Sequence, residues 1–202
     1  MTAMHRVLLY RQLIFVLWLA WAMYWLASAL NNKATVRRES LMSRLLYMLP
    51  LFIGGVLIGW HDAHWDWLGA RLWPHSLAAY WIGVVVLALG LLFSVWARVH
   101  LGRNWSGEVT VKEGHELIRT GPYAYVRHPI YTGLITALLG TAIASGTVRA
   151  AIGVLIIAVS FVVKLRREEA FMRETFPGEY QRYAAEVPAL VPFTRPPQSA
   201  LR

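Results

Sequence analysis

The sequence contains no cysteine, and only 15% of its 202 residues are charged. The lack of cysteine excludes disulfides, thiolate catalysis and cysteine-ligated metal sites. The sequence also has no G-x-G-x-x-G, no P-loop and no H-E-x-x-H motif, so the common soluble nucleotide and zinc sites are absent. Acidic residues are scarce, and the net charge is +9. The basic residues lie between apolar segments, which favours anionic lipid headgroups over nucleic acid as their partner.

Apolar runs dominate the chain, with 57% hydrophobic residues and ten tryptophans. They predict an all-α integral membrane protein with about five transmembrane helices, because about 20 apolar residues cross a bilayer. The predicted spans cover residues 13–30, 45–60, 77–96, 129–145 and 150–163. Only residues 146–149 separate the last two, which predicts a C-terminal helical hairpin. The first run has an alternative interpretation as a signal peptide, since residues 27–29 resemble a cleavage site, but it is longer than such cores usually are.

The basic residues also orient the predicted spans. If the N-terminus is outside, segments 31–44, 98–129 and 164–202 face the cytoplasm. All but four of the 20 lysines and arginines then lie on that side, as the positive-inside rule requires. We therefore expect a multi-pass protein of a bacterial inner membrane, with its site facing the cytoplasm.

Polar residues collect in the segment before the hairpin, which reads GPYAYVRHPIYTG over residues 121–133. Pro129 suits the first turn of a helix, so His128 is predicted to lie at the helix start, with Tyr131 one turn inside. The unpaired N–H groups of a helix start can hold a carboxylate or phosphate. The alternative is that Arg127 and His128 anchor the helix at the headgroups while the tyrosines form an interfacial belt.

A second polar segment, KLRREEAFMRETFPGEYQRY, follows the hairpin at residues 164–183. Lys164 and Glu168, like Glu169 and Arg173, are spaced for ion pairs on one helix. The adjacent glutamates are expected to diverge, one pairing with basic neighbours and the other turning toward a site.

After Pro177-Gly178, the spacing of Tyr180, Tyr183 and Val187 predicts a short cytoplasmic amphipathic helix at the membrane interface. A solvated helix with salt bridges is the alternative for this tail. Because the hairpin brings the start of its first helix to the end of its second, the two polar segments are predicted to form one site.

Other patterns are weaker. The stretch HDAHWDW at residues 61–67 has residues that bind metals, but it lies in a short loop, and no metal site is predicted. The pair Gly55 and Gly59 predicts close helix packing. A stripe of small residues predicts the same for the fourth span; it comprises Gly133, Ala137, Gly140 and Ala144.

The two linked segments resemble the isoprenylcysteine carboxyl methyltransferase family and its prokaryotic relatives, over about residues 98–193. The resemblance implies a single membrane domain, 1–202, in which 98–193 form the cofactor-binding methyltransferase region. It also implies S-adenosylmethionine as the cofactor. The residues that it implies for cofactor binding are Tyr123, Tyr125, His128, Pro129, Tyr131, Gly133, Glu168 and Glu169.

The family and the membrane setting imply a hydrophobic or lipid-linked acceptor that is methylated on a carboxylate. An ionised carboxylate requires alignment rather than a general base, and the planar fork of an arginine can align it. The candidates for catalysis are Arg127, Arg166 and Arg103, with Asn104 as a hydrogen-bond donor. The alternatives are a phospholipid amine N-methyltransferase and an NADPH-dependent enzyme similar to membrane sterol reductases.

Overall fold

The computed structural model describes residues 3–30, 35–38, 41–59, 67–102, 105, 110–112 and 117–194. Its main elements are six helices: α1 (Ala3–Ala29), α2 (Leu41–Gly59), α3 (Leu77–Leu101), α4 (Pro129–Ser145), α5 (Val148–Thr175) and α6 (Glu179–Glu186). Two short strands, β1 (Thr35–Arg38) and β2 (Thr110–Lys112), pair antiparallel. The all-α prediction did not include this pair, which lies in the two polar loops.

Within the described part, three helices are long and apolar enough to cross a membrane. These are Gln12–Ala29, Leu77–Leu101 and Val148–Thr175. The apolar segments Arg44–Gly59 and Pro129–Ser145 are shorter. The structure therefore confirms a helical membrane protein, while the count of five spans stays a prediction.

Helices α3 and α4 pack with their backbones in close contact. A Cβ atom added at Gly83 would lie 2.5 Å from the carbonyl oxygen of Gly140, and one added at Gly133 would lie 2.6 Å from that of Gly90. The predicted packing role of the small-residue stripe is confirmed, because side chains at these positions would push the helices apart. Tight backbone approach matters inside a bilayer, where burial of apolar surface does not drive helices together.

Helices α2 and α5 form the second close pair, at a different glycine from the predicted one. A Cβ atom on Gly55 or Gly59 would meet no atom within 4 Å, whereas one on Gly54 would lie 2.8 Å from the carbonyl oxygen of Gly153. The predicted role of the Gly55 and Gly59 pair is therefore wrong. The spacing alone does not say which face of a helix meets a neighbour.

Helix α1 lies on the α3–α4 pair through polar contacts as well as apolar ones. The indole nitrogen of Trp18 donates to the Thr141 hydroxyl at 3.1 Å, and that of Trp21 donates to the Ser94 hydroxyl at 2.9 Å. The first bond reaches α4 and the second reaches α3, so α1 is fixed to both helices.

The predicted hairpin is confirmed. Gly146 ends α4 in the left-handed conformation, with φ 64°, and Thr147 precedes α5. The turn is covered by the segment before α3, where the Leu72 amide donates to the Gly146 carbonyl at 2.8 Å. The start of α4 and the last turns of α5 consequently lie side by side at the other end of the hairpin.

Helix α6 shows the predicted amphipathic spacing but not the predicted surroundings. Tyr180 and Tyr183 are 2% and 3% exposed and pack with Leu117, Met172 and Phe176. Their apolar face is covered by the protein itself instead of lying on the membrane surface. Helix α6 thus covers the outer end of α5, next to the polar segments.

Candidate active site

The segment before α4 is held in place by α3 and α6. Gly121 begins a short 3-10 turn, Gly121–Ala124, with φ 59°, and lies directly beneath the imidazole of His100. Tyr123 is buried in this turn, and its carbonyl accepts a hydrogen bond of 2.6 Å from the Tyr183 hydroxyl. Burial raises the pKa of Tyr123, so its phenol stays neutral. These contacts fix the backbone that leads into the helix.

Helix α4 begins as the sequence predicts, with Pro129 at its first position and His128 as the N-cap. The C-terminal segment 188–190, which we call the strap, pairs with this start. The amides of Arg127 and His128 donate to the carbonyls of Pro188 at 2.8 Å and Ala189 at 3.0 Å. The Thr132 hydroxyl donates to the Leu190 carbonyl at 2.7 Å. The strap therefore satisfies the backbone on one side of the site and covers it.

The imidazole of His128 lies between the two glutamates of α5. Its Nε2 is 3.2 Å from Oε1 of Glu169, and its Nδ1 is 3.6 Å from Oε2 of Glu168. The expectation that the glutamates diverge is wrong. Their Cα positions differ by about 100° around the helix, but both side chains are long enough to reach the ring between them.

These carboxylates determine the charge of the histidine. Burial alone would lower the pKa of His128, but the hydrogen bonds and negative charges of Glu168 and Glu169 outweigh burial and raise that pKa above its usual value. The protonated imidazole is therefore favoured, with Nε2 within hydrogen-bond distance of Glu169 and Nδ1 within ion-pair distance of Glu168.

Aromatic rings extend from the histidine toward the membrane. The Tyr131 ring stacks on His128 with the centroids 5.7 Å apart, and on Phe161 of α5 with the centroids 4.9 Å apart. The Tyr131 hydroxyl donates to Oε1 of Glu168. The stack gives the acidic pair an apolar wall on its membrane side.

Each glutamate also faces further cations. Oε1 of Glu169 accepts from Arg127 at 2.6 and 2.9 Å, and its Oε2 is 3.1 Å from the Arg173 guanidinium. Oε1 of Glu168 is 3.8 Å from the Lys164 ammonium. Both ion pairs that the spacing predicts within α5 are present. The acidic pair is therefore enclosed by three permanent cations in addition to the histidine.

Arg127 is bound to the protein itself. Besides its bonds to Glu169, its guanidinium donates to the carbonyls of Ala184 and Val187 in and after α6. The side chain is 4% exposed. This arginine joins α4, α5 and α6, and its position fits a positioning role better than contact with an acceptor.

The other predicted residues occupy varied positions. Arg166 is exposed on α5, Tyr125 is half exposed with its ring edge against Phe193, and Gly133 faces α3. Arg103 and Asn104 lie outside the described residues. The structure therefore brings together His128, Tyr131, Glu168 and Glu169 around the start of α4, and Pro129 shapes that start.

Two residues that complete this cluster are not predicted to belong to it. The sequence predicts only an ion pair for Lys164 and gives no role to Tyr47 of α2. The Lys164 ammonium lies 5.3 Å from the centroid of the Tyr47 ring and 5.6 Å from that of Tyr131. A lysine within a membrane-length helix was a signal available in the sequence, whereas nothing in the sequence pointed to Tyr47.

No group of three or more residues suited to holding a metal ion occurs among the described residues. Most of the HDAHWDW stretch, residues 61–66, lies outside them. The cluster around His128 is instead an arrangement of paired charges. Two carboxylates and a surplus of cations suit a small molecule that carries charges of both signs.

Comparisons with known proteins find similarity to a methyltransferase family and to a metal-resistance protein. Residues 81–174 match the profile of the isoprenylcysteine carboxyl methyltransferase family. A probable protein-S-isoprenylcysteine O-methyltransferase of Oryza sativa subsp. indica is 27% identical over 177 residues, which cover 84% of this chain and 88% of the relative. The nickel-cobalt-cadmium resistance protein NccN of Alcaligenes xylosoxydans xylosoxydans is 32% identical over 114 residues, covering 55% of this chain and 52% of NccN.

The solved structure of the eukaryotic intramembrane Ras methyltransferase (isoprenylcysteine carboxyl methyltransferase) matches this chain with 23% identity and a TM-score of 0.49. The match covers 78% of this chain and 55% of that one. The profile match includes α4 and most of α5, and hence the cluster around His128. Residues 81–174, a little under half of the chain, are thus similar in sequence to the isoprenylcysteine carboxyl methyltransferase family.

Proposed function

We propose that the chain transfers a methyl group from S-adenosylmethionine to a carboxylate on a hydrophobic, lipid-linked acceptor. The observation that carries the proposal is the convergence of His128, Glu168 and Glu169 at the open end of the hairpin, within the region that matches the family. The Oryza sativa relative is named as a probable protein-S-isoprenylcysteine O-methyltransferase. For this chain we propose the broader class of hydrophobic carboxylates.

The residues around His128 fit this cofactor by their charges. S-adenosylmethionine has an ammonium, a sulfonium and a carboxylate. Glu168 and Glu169 are the acidic groups suited to the cations, and the partly exposed Arg173 is a cation suited to the carboxylate. The Tyr131 ring adds an aromatic face, which attracts a cation.

The same residues suit an acceptor that is already ionised. S-adenosylmethionine supplies a methyl group whose bond electrons remain on sulfur, so a carboxylate acceptor gives up no proton. The chain therefore needs no general base. Its residues have to orient the carboxylate and exclude water. The strap and α6 cover the side of the cluster away from the membrane, and the stack of Tyr131 on Phe161 forms an apolar wall on the membrane side.

Calorimetry on the purified protein in detergent tests the cofactor. We expect saturable binding of S-adenosylmethionine and none of NADPH. His128→Ala and Glu168→Gln should each weaken binding about tenfold or more, because each removes a charged partner. Glu186→Gln is the matched control, since Glu186 is exposed at the end of α6. Binding of NADPH, or wild-type affinity in both site variants, would contradict the proposal. Transfer of a labelled methyl group to membrane extract then identifies the acceptor.

We further propose that all five apolar helices cross the membrane, with the N-terminus outside and the site in the cytoplasm. The distribution of lysine and arginine supports this orientation. Reporter domains fused after residues 32, 67 and 114 should report cytoplasm, outside and cytoplasm. A cytoplasmic signal from the fusion after residue 67 would overturn the topology.

A further inference from the structure

Lys164 is a buried cation within a membrane-length helix. It belongs to the span Val148–Thr175 and is 9% exposed. A charged group inside a span is costly and usually marks a functional site. The ammonium lies between the rings of Tyr47 and Tyr131, and 3.8 Å from Oε1 of Glu168 one turn along α5.

The surrounding structure holds this position firmly. One turn deeper in α5, the Ser160 hydroxyl donates to the backbone carbonyl of Tyr47, which joins α2 to α5 beside the lysine. The Tyr131 ring is fixed by its stacks on His128 and Phe161. Lys164 consequently has a defined place on the membrane side of the acidic pair.

The arginines near the site are held by carboxylates and backbone carbonyls. Arg127 holds Glu169 at 2.6 Å and also binds backbone carbonyls. Arg173 holds Glu169 at 3.1 Å from the opposite, more exposed side. Arg98, at the end of α3, donates to the carbonyls of Ser28 and Gly102 at 2.7 Å. The ion pair of Lys164 with Glu168, at 3.8 Å, is longer than those of Arg127 and Arg173 with Glu169.

We propose that Lys164 binds the carboxylate of the acceptor. An ammonium has three N–H donors, so it can keep Glu168 and take a second carboxylate. As a point charge it holds one carboxylate oxygen and leaves the other free to form the new C–O bond. Cleavage of the C–S bond leaves its electron pair on sulfur, and no proton moves. Lys164 lies one helical turn before Glu168 on α5, on the membrane side of the acidic pair.

This inference rests on the proposed function for the identity of the reaction, but its test does not require turnover. The probes are N-acetyl-S-farnesylcysteine and its uncharged carboxamide, with binding measured by equilibrium dialysis on the full chain in lipid nanodiscs. The wild type should bind the carboxylate about tenfold or more tightly than the carboxamide. Lys164→Met should remove this preference and Lys164→Arg should retain part of it. Arg182→Gln, at an exposed position of α6, should leave it unchanged.

Affinity for S-adenosylmethionine reports that the variants are folded, and it should not fall in Lys164→Met, because the change removes a cation. If Lys164→Met keeps the preference, or the wild type has none, Lys164 does not bind the acceptor carboxylate. If the preference depends on Lys164 but no labelled methyl group reaches the probe or membrane extract, the assignment of Lys164 stands and the proposed function fails. If the Lys164→Met variant instead retains the preference and still transfers the labelled methyl group, the proposed function stands and the assignment of Lys164 fails.

Discussion

Glu169→Gln is expected to abolish binding of S-adenosylmethionine and to destabilise the protein by about 3 kcal/mol, the usual effect of breaking a buried ion pair. For a chain of this size, that corresponds to a fall in Tm of about 10 °C. The reason is that Glu169 is 8% exposed and faces three positive groups: Arg127, Arg173 and the imidazole of His128. Glutamine keeps the shape of the side chain but leaves the buried Arg127 without a counter-charge. Thermal unfolding in detergent and calorimetry measure the two effects.

Glu168→Gln provides the comparison within the site. Glu168 is 23% exposed, and its lysine partner is 3.8 Å away, so its loss should affect cofactor binding with a smaller change in Tm. Glu186→Gln, on the exposed side of α6, should change neither quantity. Equal Tm values for the two site variants would show that the link from Arg127 to Glu169 does not stabilise the assembly of α4, α5 and α6.

Much of the fold was predictable because its determinants are local. Pro129 marked the start of α4, and Gly146 followed by Thr147 marked the turn of the hairpin. The hairpin in turn predicted that the two polar segments meet. The contact between His128 and the glutamates follows from that topology, even though 40 residues separate His128 from Glu168 in the sequence.

The contacts that the sequence did not predict depend on how distant segments pack. The pattern places Arg127 beside His128, but the partners of its guanidinium come from α5 and α6, and only the folded structure shows that its donors are occupied. Tyr47 reaches Lys164 because α2 packs on α5 through Gly54. The pairing of the strap with residues 127–128 uses backbone groups, which carry no sequence signature.

The glycines also show that a sequence pattern does not say which face of a helix meets a neighbour, and the stability of glycine variants can test this. Four glycines in the sequence of α2 and α4 were predicted to allow close packing: Gly55, Gly59, Gly133 and Gly140. Only the pair in α4 meets a neighbouring backbone, whereas a Cβ atom on Gly55 or Gly59 would meet open space. The spacing of small residues was therefore informative for α4 and misleading for α2.

Gly140→Ala is expected to lower stability by about 3 kcal/mol, at the upper end for overpacking, because the added methyl group meets backbone that cannot rotate away. Its Cβ would lie 2.5 Å from the Gly83 carbonyl oxygen and in contact with the Leu87 amide nitrogen. Relief of this clash would require α3 and α4 to separate. The separation would also disturb the packing of α1, because Trp18 of α1 donates a hydrogen bond to Thr141, the residue after Gly140.

Gly55→Ala is the matched control in α2. It places the same methyl group where nothing lies within 4 Å and should leave Tm unchanged or raise it slightly, since alanine favours the helix. Thermal unfolding and the monodisperse fraction on size exclusion separate the two variants. An equal loss of stability in both would mean that glycine matters for helix conformation in this protein and not for the close approach of α3 to α4.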